Sequence, residues 1–197
     1  MAHTLSTEQK NLLLTNARAS IAAGLKGEHL ESAEPVSDMM KAPAACFVTL
    51  HLNGELRGCI GSMEPWRGLL EDVIHNAAAA AFKDHRFHPV SADEWPKLEI
   101  EISVLSATKQ LNVASREELL KWLDEHRTGL VVELPPHRAT FLPQVWQQLP
   151  EPEQFLEHLW LKAGLSPDVW EPELQLQYYT VECFNEREMA QSLVAGG

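Results

Sequence analysis

The sequence is poor in cysteine: its 197 residues include only Cys46, Cys59 and Cys183, which lie far apart. Structural zinc sites need closely spaced cysteine or histidine ligands, and small secreted domains need an even set of cysteines for their disulfides. An odd and scattered set excludes both classes. We therefore expect a protein of a reducing compartment, the cytoplasm.

Long apolar runs are missing as well. No stretch approaches the roughly 18 apolar residues that a membrane-spanning helix requires. The N-terminal "MAHTLSTEQK" lacks the basic flank and the apolar run of a signal peptide. We expect neither a membrane segment nor export.

Positive charge is also scarce. The chain has 16 Lys and Arg against 28 Asp and Glu, a net charge of -12. Binding to a phosphate backbone requires a basic surface, so a nucleic-acid partner is excluded. The G-x-G-x-x-G, P-loop and G-x-S-x-G motifs are absent too, and neither nucleotide binding nor serine hydrolase chemistry is predicted.

The composition that remains is that of an ordinary globular protein, 45% hydrophobic and 22% charged. Apolar residues at helical spacing predict helices at about 7–24 and 67–83, and again within "SREELLKWLDEH" and "EPEQFLEHLWLKAGL". Strands are predicted at "LEIEISVL", "GLVVEL" and "LQLQYYTVECF". We expect an α+β fold, a mainly antiparallel sheet with packed helices, in one domain (1–197) with a larger and a smaller lobe.

The strongest local signal is a β-hairpin. "CFVTLHL" and "ELRGCI" flank Asn53-Gly54, the dipeptide most typical of a two-residue hairpin turn. Such a turn also predicts the register of the two strands. The predicted cross-strand pairs are Leu52–Glu55, Leu50–Arg57 and Val48–Cys59.

Cys59, within "LRGCIG", is the first candidate for chemistry. A nearby cation lowers the pKa of a thiol and makes it nucleophilic, and Arg57 lies two residues away along the predicted strand. Gly58 and Gly61 would let backbone N–H groups turn toward an anion. The alternative is a small buried cysteine packed against aliphatic neighbours. Buried Arg57 would then need a carboxylate partner, for which the candidates are Glu55, Glu101 and Asp84.

The segment "KDHRFHPV" gathers a second set of polar side chains. His85 and His88 have a His-x-x-His spacing, but no third ligand lies at a recognisable offset, so a metal site is not predicted. Asp84 and Arg86 could form a structural ion pair where the helix ends.

Further along the chain, Glu99, Glu101 and Ser103 form the polar side of a strand, which either lines a cleft or faces solvent. Gln144, in "FLPQV", offers a neutral hydrogen-bonding group. Lys162 precedes a helix end, where the helix dipole alone favours a cation.

Five segments, "LRGCIG", "DHRFHPV", "LEIEISVLS", "FLPQVW" and "FLEHLWLKAGL", occur in this order and spacing. Together they resemble the AMMECR domain family, whose prokaryotic members are called AmmeMemoRadiSam system protein A, over residues 10–185. His88 falls outside the family's pattern. The family-like residues are Leu56, Arg57, Gly58, Cys59, Ile60, Gly61, Asp84, Arg86, Phe87, Pro89, Ser103, Pro143, Gln144 and Lys162.

The resemblance implies an α+β fold with two lobes. It also implies a cytoplasmic protein that accompanies a radical S-adenosylmethionine enzyme and a Memo-like protein. It assigns neither a reaction nor a cofactor. The chain lacks a cysteine triad for an iron–sulfur cluster and is not itself expected to be the radical enzyme.

Two hypotheses stay open. In the first, the protein is an enzyme or enzyme subunit with Cys59 as nucleophile or redox thiol, Arg57 as anion holder, and Glu101 or Asp84 as a proton-handling carboxylate. In the second, it is a non-catalytic binding or scaffold protein in which "LRGCIG" is structural.

Overall fold

The computed structural model describes residues 4–30 and 37–195. It has an α+β fold, which confirms the predicted class. The helices are α1 (Thr7–Leu25), α2 (Asp38–Lys41), α3 (Leu69–Phe82), α4 (Arg116–His126), α5 (Pro152–Ala163) and α6 (Glu186–Ala195). The strands are β1 (Cys46–Leu52), β2 (Glu55–Gly61), β3 (Leu98–Leu105), β4 (Lys109–Gln110), β5 (Gly129–Leu134), β6 (His137–Phe141), β7 (Gln175–Tyr179) and β8 (Val181–Asn185). Among these helices, none is long and apolar enough to cross a bilayer.

The chain forms two compact units. The N-terminal unit comprises residues up to Leu105 together with those from Glu182 onward, and the C-terminal unit is Ser106–Val181. Each unit has a four-stranded sheet and a hydrophobic core of its own.

The N-terminal unit packs helices on one face of a sheet with the strand order β2-β1-β3-β8. Alternate residues of β1 and β3 point into this core, and Val48, Leu50, Ile100 and Ile102 are fully buried there. Helix α1 begins with a complete capping box formed by Ser6 and its third helical residue. The small alanines of α3 allow that helix to approach the sheet closely.

The C-terminal unit has the strand order β4-β7-β5-β6, and its core includes buried residues of α4 and α5. Trp146 and Phe155 stack there with ring centroids 3.8 Å apart. Helix α5 ends at Gly164 with φ 76°, the left-handed conformation that the sequence predicts at this position.

Two predicted elements need correction. The stretch "LQLQYYTVECF", predicted as one strand, divides at Thr180 into β7 and β8, which belong to different sheets. The proline-rich stretch after β5, predicted only as an ordered excursion, forms β6 and the 3₁₀ helix Pro143–Gln147. Sequence patterning missed both because it does not show which sheet a strand joins.

Candidate functional site

The hairpin turn has the predicted form, but the strands beyond it do not keep the predicted register. Asn53 and Gly54 adopt positive φ, 54° and 86°. A β-bulge then inserts one extra residue, Arg57, into β2. Because side chains alternate between the two faces, one extra residue reverses the orientation of all that follow.

The predicted pairs Leu50–Arg57 and Val48–Cys59 are therefore wrong. Cys59 does not share the core face with Val48 and Leu50, and it points to the opposite side of the sheet. The structure forms the pairs Leu50–Gly58, Thr49–Cys59 and Val48–Ile60.

Cys59 is half-buried on this outer face, among polar neighbours. The Thr49 hydroxyl lies 3.3 Å from Cys59 Sγ and donates a hydrogen bond to it. On its other side Thr49 pairs with Glu101 of β3. Cys59, Thr49 and Glu101 therefore form one row across three strands, and with strands about 4.8 Å apart the backbones of Cys59 and Glu101 are about 10 Å apart.

The open edge of β2 at Cys59 is covered by two side chains from the loop after α3. Asp84 Oδ2 accepts the Cys59 backbone N–H at 2.9 Å, and Arg86 Nη2 donates to the Cys59 carbonyl at 3.2 Å. The two side chains thus bind the backbone groups that a further strand would otherwise bind.

Asp84 and Arg86 also form a two-pronged ion pair, with Nε–Oδ1 at 2.9 Å and Nη2–Oδ2 at 2.7 Å. Hydrogen bonding from Arg86 is the main reason that the pKa of buried Asp84 lies well below its usual range. Hydrogen bonding to Asp84, and to a lesser degree interaction with the Cys59 sulfur, raises the pKa of Arg86. Asp84 is therefore held as a charged positioning group, and Arg86 is the cation that binds the Cys59 carbonyl.

The Arg57 side chain binds Glu94 rather than a group at Cys59. Its guanidinium forms a bidentate pair with Glu94, at 2.7 Å and 3.1 Å, and Nη2 also donates to the His88 carbonyl at 2.9 Å. The predicted partners Glu55, Glu101 and Asp84 are thus not the carboxylates that Arg57 binds. Sequence spacing could not identify Glu94, because 37 residues separate it from Arg57.

We call residues 84–94 the clamp segment, because it is tied to β2 at both Cys59 and Arg57. The Phe87 ring contributes to it. The guanidinium carbons of Arg57 and Arg86 lie 5.9 Å and 5.4 Å from its centroid, within the range of a cation–π interaction.

The clamp segment should make stability depend on acid pH. Hydrogen bonding from Arg57 lowers the pKa of Glu94 to about 2. The pKa of Asp84 is also lowered. A carboxylate whose pKa is lower in the folded state stabilises the fold above its unfolded pKa and loses that contribution as pH falls through the folded value. Urea titrations should show the free energy of unfolding falling between about pH 4.5 and pH 2.

Glu94→Gln removes one of these carboxylates and should flatten that fall. Glu55→Gln, on the exposed hairpin turn, is the matched control and should leave the profile unchanged. An identical pH profile for Glu94→Gln and the unaltered protein would contradict the prediction.

Two glycines in "LRGCIG" have a packing role. A Cβ at Gly58 would overlap the Ala80 carbonyl of α3, and a Cβ at Gly61 would overlap the Cys46 carbonyl and the Phe47 ring. Gly58 lies on the core face, where α3 approaches β2. These contacts explain both glycines without a bound anion.

Sequence reasoning missed a second polar cluster in the N-terminal unit. Asp72 of α3 is completely buried. Its Oδ2 accepts hydrogen bonds from the Cys46 backbone (3.3 Å), the Cys46 thiol (3.2 Å), Ser62 (3.3 Å) and Asn76 (3.0 Å). Oδ1 lies 3.2 Å from Arg67 Nε, an ion pair without hydrogen-bond geometry.

This cluster makes Cys46 an inert thiol. Burial, followed by the adjacent Asp72 carboxylate, raises the pKa of Cys46 well above its usual value. The sequence feature that could have revealed this cluster is the i, i+4 spacing of Asp72 and Asn76 inside the apolar stripe of α3.

Ser103, predicted as a candidate, is buried on β3 next to Cys183 rather than next to Cys59. Burial raises the pKa of Cys183 to about 11, with the Glu101 carboxylate adding to the rise and a Ser103 hydrogen bond opposing it. Cys183, taken as a whole residue, is nevertheless exposed at the surface.

The two candidates of the C-terminal unit lie on different elements, the 3₁₀ helix and α5. Gln144 lies in the 3₁₀ helix Pro143–Gln147, and Lys162 Nζ donates to the Thr140 carbonyl at 2.9 Å. Within residues 4–30 and 37–195, no three His, Cys, Asp or Glu side chains come together to hold a metal ion.

Comparison with known proteins gives a consistent result. The family model AMMECR1 matches residues 14–184. Protein MJ0810 of Methanocaldococcus jannaschii is 35% identical over 192 residues, 93% of each chain. Protein MK0488 of Methanopyrus kandleri is 32% identical over 197 residues, 95% of this chain and 93% of that one.

A solved structure agrees. The crystal structure of the uncharacterized protein PH0010 from Pyrococcus horikoshii superposes with a TM-score of 0.76 at 32% identity, over 88% of this chain and 89% of that one. The family match covers "LRGCIG", the clamp segment and both sheets except for the last residue of β8. The chain therefore belongs to the AMMECR1 family.

Proposed function

We propose that the protein contributes a thiol site centred on Cys59 to a modification pathway, in which it acts with a radical S-adenosylmethionine enzyme and a Memo-like protein. One observation carries the thiol site. Cys59 Sγ lies on the outer face of the sheet, where the Thr49 hydroxyl donates to it and Arg86 binds the carbonyl of the same residue. The pathway and its partners rest on family membership alone.

In this proposal each neighbour of Cys59 has a role. The Thr49 hydroxyl orients the sulfur by donating a hydrogen bond to it, and the Arg86 guanidinium places a positive charge at the backbone of the same residue. Asp84 positions Arg86 through the two-pronged ion pair. Arg57 positions the clamp segment rather than holding a substrate anion.

Glu101 is the proposed proton acceptor. It lies in the same row on the far side of Thr49, with its backbone about 10 Å from that of Cys59 across the sheet, so a substrate that contacts both groups lies over Thr49. This distance also means that Glu101 acts on a bound molecule and not on the thiol directly.

The test is the rate of Cys59 alkylation by iodoacetamide against pH, in the Cys46→Ser, Cys183→Ser background. The thiolate is the reactive form, so under the proposal Cys59 should alkylate in the folded protein at pH 7 at least as fast as N-acetylcysteine amide. Arg86→Gln should slow this reaction. Arg187→Gln is the matched control, because Arg187 pairs with Glu99 of β3 at 2.9 Å; it should not change the rate.

A second candidate function is a non-catalytic scaffold. The backbone contacts of Gly58 and Gly61 favour it, because they explain the glycines of "LRGCIG" by packing alone. Under this function Cys59 would alkylate only at the rate of global unfolding, and Cys59→Ser would change stability alone. Alkylation that follows urea unfolding at every pH would contradict the thiol-site proposal.

A further inference from the structure

We propose that the β4 edge of the C-terminal unit binds an extended, basic segment of a partner protein by strand addition. The site is a groove of about 550 Å³ beside β4, lined in part by Gln110, Asn112 and Trp170. A groove of this size holds one or two side chains of a bound peptide.

The backbone beside the groove is open to a further strand. Strand β4 ends the sheet order β4-β7-β5-β6, and Leu111 N–H donates to the Leu176 carbonyl of β7 at 2.8 Å. Backbone groups alternate in direction along an antiparallel strand. Those of Gln110, an exposed residue that lines the groove, therefore point away from β7. If the alternation continues past the end of β4, those of Asn112, also exposed and in the lining, have the same direction.

The groove offers an apolar floor with an aromatic wall. Leu111 and Leu176 are buried beneath it, and half-buried Trp170 lines its side. In strand addition, main-chain hydrogen bonds give affinity and such pockets receive alternate side chains. A branched aliphatic side chain of the incoming segment fits this floor.

The charge of the groove selects a basic segment. Among the described residues that line it, both charged side chains are acidic, Glu118 and Glu171. Glu118 is held at the mouth, where its Oε2 accepts the Ala114 N–H at 2.8 Å. The Trp170 ring can also receive a cation, and the net charge of the whole chain is -12.

Two cations close to the groove in sequence, Lys109 and Arg116, have contacts of their own. Lys109 Nζ lies 5.9 Å from the Tyr178 ring centroid. Arg116 pairs with Glu153 at 3.0 Å and lies 3.9 Å from Glu157. Glu118 and Glu171 are thus the charged side chains that an incoming segment meets in the groove lining itself.

The test uses the full-length protein and a fluorescein-labelled peptide of alternating lysine and valine, seven residues long, followed by fluorescence anisotropy. We expect saturable binding that is weakened at least about tenfold by exchanging every lysine for glutamate, and to a similar degree by N-methylating every peptide bond. Hydrogen exchange at Gln110 and Asn112 should slow on binding.

Protein variants complete the test. Asn112→Pro removes an outward N–H, and Glu171→Lys reverses a groove charge; each should weaken binding about tenfold. Glu125→Lys, an exposed change on α4, is the control and should leave affinity within about twofold. Absence of saturable binding, equal affinity for the N-methylated peptide, or full competition by equimolar tetramethylammonium would overturn the proposal.

Discussion

Asp72→Ala should lower the free energy of unfolding by about 3 kcal/mol, since removing one partner of a buried ionic cluster leaves the others unpaired. The carboxylate is completely buried and joins β1, the segment after β2 and α3 through Cys46, Ser62 and Asn76. Arg67 is partly exposed, with 30% of its side chain accessible. Water can therefore solvate this cation, which keeps the loss at the lower end of the range for buried pairs.

Urea denaturation of matched variants separates charge from hydrogen bonding. Asp72→Asn keeps an acceptor oxygen and the side-chain volume, and should cost about half as much as Asp72→Ala. Glu71→Ala, the exposed neighbour on the same helix, should change stability by less than about 0.5 kcal/mol. A loss for Asp72→Ala as small as that for Glu71→Ala would show that the cluster does not stabilise the fold.

Gly58→Ala should be nearly as destabilising, by about 3 kcal/mol, because the new methyl group overlaps a backbone carbonyl that cannot rotate away. The Ala80 carbonyl belongs to α3, so either the helix must shift or the bulge at Arg57 must rearrange. Either change disturbs the orientation of Cys59, and its alkylation rate should change together with stability.

Gly24→Ala provides the control for this substitution. Its new methyl group would meet the Phe82 ring rather than backbone, and a half-buried ring can move aside. Alanine also has a helix propensity about 1 kcal/mol better than glycine. Chemical denaturation should therefore show a change within about 1 kcal/mol for Gly24→Ala, and a comparable loss at both positions would contradict the explanation for Gly58.

The two hypotheses for "LRGCIG" are not exclusive at the level of single residues. Gly58 and Gly61 have packing reasons to be glycine. The Arg57–Glu94 pair and the hydrogen bond from the Cys59 N–H to Asp84 secure the clamp segment. Cys59 itself stands apart from these structural roles, because its side chain leaves the core and meets Thr49. The alkylation experiment therefore addresses the residue on which the choice between enzyme and scaffold depends.

Local sequence signals were sufficient to predict those features whose contacts all lie between near neighbours along the chain. The capping box of α1, the Asn53-Gly54 turn and the left-handed Gly164 are all satisfied by contacts within a few residues. The α+β class also followed, because hydrophobic periodicity reports which face of each element is buried.

What only the tertiary structure decided was the orientation of Cys59 and which arginine binds its backbone. At the bulge, α3 approaches Gly58 closely and Arg57 pairs with Glu94, which lies 37 residues away in the chain. The side-chain period of a strand is two, so one inserted residue moves Cys59 from the aliphatic core to a polar face. Such a shift arises from contacts between distant segments, which no pattern within the strand contains.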